Sequence, residues 1–217
     1  MTAGEQRGRL ITVEGTDGAG KSTQIHFVKE YLSARGVSVI TTREPGGTPI
    51  GEAIRDILLS GQGTKACART EILLMFAARL QHLEELIKPA LARGEYVVCD
   101  RFTDATYAYQ GGAGGVENDE IEIVENWVQG SLRPDLTLLF DLPVEVGVKR
   151  VMTRGSAGDR FESMALERKR RVRNAYLERA ERFSARIRII DACQSIEVVK
   201  ASVEQVLYES CLSWDIE

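Results

Sequence analysis

The sequence predicts an α/β fold in which a five-stranded parallel sheet is flanked by helices. Five short apolar runs with little polar alternation indicate strands that are buried on both faces. Helical segments fill the intervals between these runs, and such alternation is typical of parallel sheets. A glycine-rich stretch, VEGTDGAGKST, joins the first strand to the first helix. Together these observations predict a sheet whose ligand site begins at that loop.

The elements are expected in the following order. Strands are predicted over 10–13, 37–41, 96–99, 136–140 and 187–190. Helices are predicted over 21–34, 50–59, 68–93, 119–129, 144–153, 163–183 and 196–209. No repeat, linker or low-complexity tract interrupts the alternation, so we expect one domain over residues 1–217.

Composition narrows the class of protein further. A chain of 217 residues that is 43% apolar can bury a single core. Its net charge of −4 argues against a nucleic-acid partner. The four cysteines show no metal-ligand spacing, so we expect reduced thiols. The polar start and the shortness of the apolar runs predict no signal peptide and no membrane partner, hence a cytoplasmic protein.

The glycine-rich stretch fits the phosphate-binding pattern GxxxxGK[ST] without a gap. Its position after an apolar strand and before a helix gives the motif its meaning, because backbone N–H groups and the helix N-terminus then face an anion. Lys21 is expected to reach the β- and γ-phosphates and Ser22 to ligate Mg²⁺. The predicted ATP-binding residues of the loop are Gly15, Thr16, Asp17, Gly18, Ala19, Gly20, Lys21, Ser22 and Thr23.

The motif establishes a nucleoside triphosphate and a metal, but it does not establish a reaction. A GTPase would carry NKxD or a strand-borne DxxG, and the sequence has neither. A motor or transporter ATPase would need a longer chain. A small kinase fits best.

Charged residues gather just after the predicted strands, where open parallel sheets bind their ligands. Asp100 is placed to hold Mg²⁺, and Arg101 beside it to bridge donor and acceptor phosphates. Arg43, in TREPGGT, supplies a guanidinium suited to bidentate phosphate binding. Arg55 adds a possible third contact, although a solvated surface role is nearly as good an interpretation. These residues predict a second phosphate site.

The long helix places Arg79 on a face otherwise built from apolar residues. Phe76 and Met75 lie three and four positions earlier and therefore share its side of the helix. A flat aromatic ring beside a guanidinium would seat a pyrimidine, with Arg79 bonded to a ring carbonyl. Core packing with a snorkelling arginine explains the helix equally well.

A basic segment between two helices predicts a lid over residues 148–162. Arg150, Arg154 and Arg160 flank a turn rich in glycine and serine. A solvated loop is the usual origin of such a run. A flap that closes over ATP and brings positive charge to the transferring group explains it better in a phosphoryl-transfer enzyme.

These motifs together resemble bacterial thymidylate kinase. The resemblance is carried, in family order, by EGTDGAGKST, TREPGGT, MFAARLQHL, DRFTDATYAYQGG, RPDLTLLFDLP and RGSAGDRFE. It implies a P-loop nucleoside monophosphate kinase fold with a small lid, ATP and dTMP as substrates, Mg²⁺ as cofactor and a homodimer. Positive charge is missing from the variable loop positions and present in the lid, which resembles the family members that place catalytic arginines there.

The resemblance also implies roles for residues at matching positions. Lys21, Arg101, Arg154 and Arg160 would be catalytic, and Arg150 would bind ATP. Relatives commonly place a ring-stacking phenylalanine where this chain has Met75, with Phe76 next to it. The implied dTMP-binding residues are Asp17 near the sugar 3′-hydroxyl, Arg43, Glu44, Arg55, Met75, Phe76, Arg79, Arg101, Thr106, Tyr109 and Gln110, with Ser22 and Asp100 at the metal.

Two other functions remain open on sequence grounds. The first is a kinase for another nucleoside monophosphate or small acceptor; Arg79 and TYAYQ favour a pyrimidine. The second is a regulator that binds ATP without turnover. A binding module has no need of a second phosphate site, so the strand-end arginines argue against it.

Overall fold

The computed structural model describes residues 7–59, 66–153, 161 and 164–216. Its centre is one parallel sheet of five strands in the order β2-β3-β1-β4-β5. The strands are β1 (Leu10–Gly15), β2 (Val39–Arg43), β3 (Tyr96–Asp100), β4 (Leu136–Asp141) and β5 (Ile187–Asp191). The predicted fold class is therefore confirmed.

Helices cover the sheet. They are α1 (Lys21–Ser33), α2 (Pro49–Leu59), α3 (Ala68–His82), α4 (Lys88–Ala92), α5 (Thr103–Thr106), α6 (Asn118–Gln129), α7 (Val144–Thr153), α8 (Leu166–Arg182) and α9 (Ile196–Ser213). A π-helical turn, Leu83–Ile87, joins α3 to α4, so the predicted long helix is continuous but locally wider. A second π-helical turn, Tyr107–Gly112, continues α5.

The two faces of the sheet pack against different helices because neighbouring residues of a strand point to opposite faces. Ile11 and Val13 of β1 lie in a cluster with residues of α1 and α9. Leu10 lies in the cluster formed with α3 and α6. A third cluster packs α8 against β4 and β5. Because β2, β3 and β1 are parallel neighbours, the loops that follow them lie at the same edge of the sheet.

The short helix α5, which the sequence did not predict, is anchored by a buried carboxylate. Asp104 accepts hydrogen bonds from Arg179 Nε at 2.6 Å and from Arg186 Nη1 at 2.7 Å. Burial alone would raise its pKa, but the two arginines outweigh burial and hold the pKa of Asp104 below its usual value. Tyr107 also donates to Glu125 at 2.6 Å. Tertiary contacts therefore hold this segment.

Among the helices of the described ranges, none is both long enough and apolar enough to cross a bilayer.

Candidate active site

A cavity of about 450 Å³ opens beyond the carboxyl ends of β1, β2 and β3. Most residues predicted for the site share this one cavity. They come from the glycine-rich loop, the loop after β2, helix α3, and the segment after β3. The predicted residues that line it are Asp17, Gly18, Gly20, Lys21, Ser22, Thr23, Arg43, Glu44, Arg55, Met75, Arg79, Asp100, Arg101, Thr106, Tyr109 and Gln110.

Some predicted residues lie elsewhere. Gly15, Thr16 and Ala19 do not line this cavity, and Phe76 is 1% exposed in the core. Arg150 Nη1 donates to the Ala192 carbonyl at 2.9 Å and approaches that of Gly18 at 3.5 Å, so it braces the loop from outside. Arg154 and Arg160, and most of the predicted lid after Thr153, lie outside the described residues.

The glycine-rich loop has the backbone that its sequence requires. Gly18 has a φ of 81°, and a Cβ there would lie 2.4 Å from the carbonyl oxygen of Gly147. Lys21 opens α1 and folds back, donating from Nζ to the carbonyls of Gly15 at 3.2 Å and Thr16 at 3.3 Å. Burial, reinforced by the charge of Arg101, lowers the pKa of Lys21 to about 8. The amine remains largely cationic at neutral pH.

Arg101 connects the loop to the rest of the site. Its Nη2 donates to Asp17 Oδ1 at 2.7 Å, and its Nη1 donates to the Gly15 carbonyl at 3.1 Å and to the Tyr176 hydroxyl at 3.2 Å. Burial favours the neutral form of Asp17, but Arg101 and Lys21 outweigh it and hold the pKa of Asp17 below its usual value. The guanidinium also lies 5.0 Å from the centroid of the Tyr109 ring.

Two oxygen donors in the cavity suit a hard divalent cation. Asp100 ends β3, and its Oδ1 is buried with no hydrogen-bond partner among the described residues. Ser22 lines the same cavity at the start of α1. A carboxylate and a hydroxyl are ligands that Mg²⁺ accepts, usually with water completing its shell. The residues present therefore fit the ion.

Sequence reasoning missed Glu14 and Tyr176. Glu14 is fully buried at the end of β1; its Oε1 accepts from the Phe102 amide at 2.7 Å and its Oε2 from the Tyr176 hydroxyl at 2.7 Å. Tyr176 in turn contacts Arg101. The local signal for Glu14 was its place directly after the predicted strand 10–13, where charged residues gather.

Glu14 should make stability depend on pH. Burial, with the charge of Asp104, raises the pKa of Glu14 from 4.5 to about 7. The folded protein thus holds this proton more tightly than the unfolded chain does, so ionisation costs stability as pH rises from 4.5 to about 7. Relative to a Glu14→Gln variant, wild-type unfolding free energy should fall by about 3 kcal/mol across that interval.

Urea denaturation at four pH values between 4.5 and 7.5 checks this difference. Glu181→Gln, which changes an exposed glutamate of α8, is the matched control and should run parallel to wild type. Parallel curves for wild type and Glu14→Gln would contradict the assignment.

Arg79 and Glu44 form a buried ion pair on the opposite wall. Arg79 is 2% exposed, and its Nε donates to Glu44 Oε2 at 2.7 Å. Its Nη2 donates to Thr106 Oγ1 at 3.2 Å, while Nη1 is buried with no acceptor among the described residues. The guanidinium lies 4.6 Å from the Phe76 ring centroid and 4.9 Å from that of Phe102. Among the described residues, the Nη1 amino group therefore keeps its hydrogen-bonding capacity for a ligand.

The other predicted residues have protein partners as well. Arg43 Nη2 donates to Glu52 Oε2 at 2.9 Å, and Arg55 Nη1 donates to the Pro45 carbonyl at 2.9 Å. Gln110 Nε2 donates to Glu71 Oε2 at 3.0 Å. The Tyr109 ring meets Phe161, the one described residue near the end of the predicted lid, edge-on at 5.5 Å.

Comparison with known proteins gives one consistent family. A family model described as "Thymidylate kinase" matches residues 13–203. A Pseudomonas syringae pv. tomato protein named thymidylate kinase is 54% identical over 202 residues, which cover 93% of this chain and 96% of that protein. A Neisseria gonorrhoeae thymidylate kinase is 53% identical over 199 residues, covering 92% and 96%.

A solved structure agrees with these sequence matches. The crystal structure of thymidylate kinase from Ehrlichia chaffeensis superposes with a TM-score of 0.75 and is 34% identical in sequence. The match covers 93% of this chain and 99% of that one.

Proposed function

The chain belongs to the thymidylate kinase family, and we propose that the cavity beyond β1, β2 and β3 is where it transfers the γ-phosphoryl group of ATP to dTMP. The observation that carries this proposal is that Lys21 of the loop and Arg79, whose Nη1 has no acceptor among the described residues, line one cavity. A donor-phosphate site and a base-reading group are thus within the reach of one bound pair of substrates. Residues 1–217 would form a single kinase domain with a lid over about 148–162.

In the proposed transfer the attacking dTMP phosphate oxygen is already ionised at neutral pH, so no protein base is needed. Lys21 and Arg101 neutralise the negative charge that builds on the transferring group. Arg154 and Arg160 of the proposed lid would contribute further positive charge. Mg²⁺ would be held by Ser22 and, through water, by Asp100, and would neutralise ATP phosphate charge. Arg150 would support the ATP side by bracing the loop.

The proposed acceptor site reads the base and the sugar. Arg79 Nη1 donates to the ring carbonyl at C4, which thymine offers and cytosine replaces with an amino group. Met75 lines the cavity and would pack on the base, while Phe76, in the core, supports the Arg79 guanidinium. Thr106, Tyr109 and Gln110 complete the pocket.

The remaining predicted residues would serve the sugar and the dTMP phosphate. Asp17, held by Arg101, would accept a hydrogen bond from the 3′-hydroxyl. Arg43, Arg55 and Arg101 would bind the phosphate, with Glu44 nearby. Each arginine now bonds to protein oxygens, so binding would exchange or extend those bonds.

A coupled assay of ADP release tests the function. ATP and Mg²⁺ are combined with each common nucleoside monophosphate in turn, including the ribose form of TMP. We expect the highest turnover with dTMP and weak turnover with the ribose form. A preference for another monophosphate would overturn the base and sugar assignments. Absence of ADP release with every acceptor would favour the regulator that binds ATP without turnover.

We propose further that the protein is a homodimer formed through α3 and α6. These helices pack against each other, and their outer faces expose Leu73, Leu80, Ile123 and Trp127. Trp127 is 81% exposed and Ile123, one turn earlier on α6, is 70% exposed. Large apolar side chains so exposed at helical spacing indicate a protein contact.

We propose the cytoplasm as the compartment of this protein, because free cysteines persist there.

Light scattering with a Trp127→Glu variant checks the dimer. Wild type should have twice the 24.0 kDa mass of the chain, and the variant should be monomeric because a charge would be buried at the contact. Leu212→Glu, an exposed position on α9, is the control and should remain dimeric. A monomeric wild type, or a dimeric Trp127→Glu, would contradict the proposal.

A further inference from the structure

His82 is a wholly buried histidine that the proposed reaction does not use. The chain has two histidines, and the other, His26, is exposed on α1. His82 is the last residue of α3, one helical turn after Arg79, and is 0% exposed. A fully buried imidazole must have both ring nitrogens satisfied, so its partners indicate its purpose.

The ring bridges the edge strand and the buried ion pair. Its Nε2 lies 2.7 Å from Thr42 Oγ1, and its Nδ1 lies 3.0 Å from Glu44 Oε1. The other oxygen of Glu44 receives Arg79 Nε at 2.7 Å. A continuous chain of hydrogen bonds therefore runs from Thr42 through His82 and Glu44 to Arg79.

The surroundings fix the position of the ring. A Cβ added at Gly47, whose φ is 79°, would lie 2.5 Å from His82 Nε2. The loop after β2 thus passes directly against the imidazole, and only a glycine allows it. The Gly47 backbone therefore packs against the Nε2 edge of the ring.

The chemistry of the partners also fixes the proton. The carboxylate of Glu44, paired with Arg79, can only accept, so Nδ1 must carry hydrogen. Glu44 therefore sets the tautomer, and in the neutral ring Nε2 accepts from the Thr42 hydroxyl. Every polar side-chain atom in this series of hydrogen bonds from Thr42 to Arg79 has a partner except Arg79 Nη1, which has no acceptor among the described residues.

We propose that His82 is a positioning residue for base selection: through Glu44 it holds Arg79 with Nη1 directed to the pyrimidine, and Thr42 satisfies the other ring nitrogen. The inference rests on the base-reading role proposed for Arg79. Without the Nδ1 hydrogen, Glu44 Oε1 is left buried and unpaired, so the carboxylate turns toward Arg79 and draws the guanidinium away from the base.

Steady-state kinetics tests the inference. His82→Gln removes the donor at Nδ1, and we expect the KM for dTMP to rise about tenfold or more, as for loss of one hydrogen bond to a charged group. The kcat and the KM for ATP should change less than about threefold, because the loop and Arg101 are untouched. The dCMP-to-dTMP turnover ratio should rise. His82→Asn, whose amide can occupy the Nδ1 position, should restore most of the dTMP affinity.

Matched variants separate positioning from folding. Thr42→Val keeps the shape of Thr42 and removes only its hydroxyl, so it should shift the KM for dTMP in the same direction as His82→Gln. His26→Asn changes an exposed histidine and should behave as wild type. Equal losses in kcat and both KM values, with no recovery in His82→Asn, would show a merely structural role and overturn the inference.

A spectroscopic measurement is independent of activity. With two histidines, the ¹⁵N imidazole spectrum contains two rings, and His26→Asn assigns them. In the wild-type protein we expect the His82 ring to carry its hydrogen on Nδ1. A His82 ring that carries hydrogen on Nε2 and not on Nδ1 would overturn the proposal.

Arg79→Ala separates this inference from its premise. If Arg79→Ala leaves the KM for dTMP unchanged, both the base-reading role and the role of His82 are wrong. If Arg79→Ala raises that KM and His82→Gln does not, only the role of His82 is wrong.

Discussion

Replacing Lys21 with alanine should lower kcat about 10³-fold, because the charge nearest the transferring phosphoryl group is lost. In the free protein the amine is held by the Gly15 and Thr16 carbonyls and is buried against the loop. It needs little reorganisation to reach a phosphate, and preorganised charge in a low-dielectric site is worth more than the same charge in water. Coupled ADP release at saturating dTMP measures the effect.

Lys29→Ala is the matched control, since Lys29 lies on the exposed face of the same helix, α1. It should keep turnover within about twofold of wild type, as surface substitutions rarely disturb a fold. Circular dichroism and the urea midpoint show whether Lys21→Ala is folded. A folded Lys21→Ala with near-normal turnover would show that the loop lysine is not catalytic.

Replacing Arg101 with alanine should lower kcat about 10²- to 10³-fold and also raise the KM for dTMP. Arg101 contacts Asp17, the Gly15 carbonyl and Tyr176 at once, so its loss removes a positive charge and releases the loop from α8. Arg101 has a φ of 66°, and alanine carries the same Cβ, so the variant leaves backbone strain unchanged. The effect therefore reports the guanidinium itself.

Arg101→Lys refines the result. A lysine keeps the charge but cannot make the forked set of hydrogen bonds, so it should recover only a minor part of the lost kcat. Arg93→Ala, which removes an exposed arginine after α4, should leave both constants unchanged. A kcat fully restored in Arg101→Lys would mean that a positive charge at this position is enough for catalysis, without the forked hydrogen bonds of arginine.

Much of the fold could be predicted because its signals are local. The runs that became β1, β3 and β4 begin at the predicted residues, because these inner strands are buried and therefore largely apolar. The edge strand β5 also begins at the predicted residue, although three of its five residues are exposed. The strand β2 begins two residues later than predicted, at Val39 rather than at residue 37. It is an edge strand with a partly exposed pattern, so its limits carry little apolar signal.

Long-range contacts explain what the sequence could not show. Helix α5 and its π-helical extension form from TDATYAYQGG, whose threonines, tyrosines and glycines have weak helix propensity. Asp104 holds the segment through arginines 75 and 82 positions away. No local pattern encodes such a pairing.

The same distinction between local signals and long-range contacts applies to the candidate active site. The phosphate loop is contiguous, so its residues could be named from one motif. The Glu14–Tyr176 contact spans 162 positions and the His82–Glu44 contact spans 38, and neither has a sequence signature. These supporting residues become visible only when the fold brings the elements together.

A single-turnover experiment tests the central claim most directly. Enzyme in excess is mixed with ATP labelled at the γ-phosphate, dTMP and Mg²⁺, and the nucleotides are separated within the first turnover. We expect the label to appear in dTDP as it leaves ATP, with wild type and Lys29→Ala alike and Lys21→Ala about 10³-fold slower. Label released as inorganic phosphate, or retained in ATP while dTMP is bound, would contradict phosphoryl transfer in this cavity.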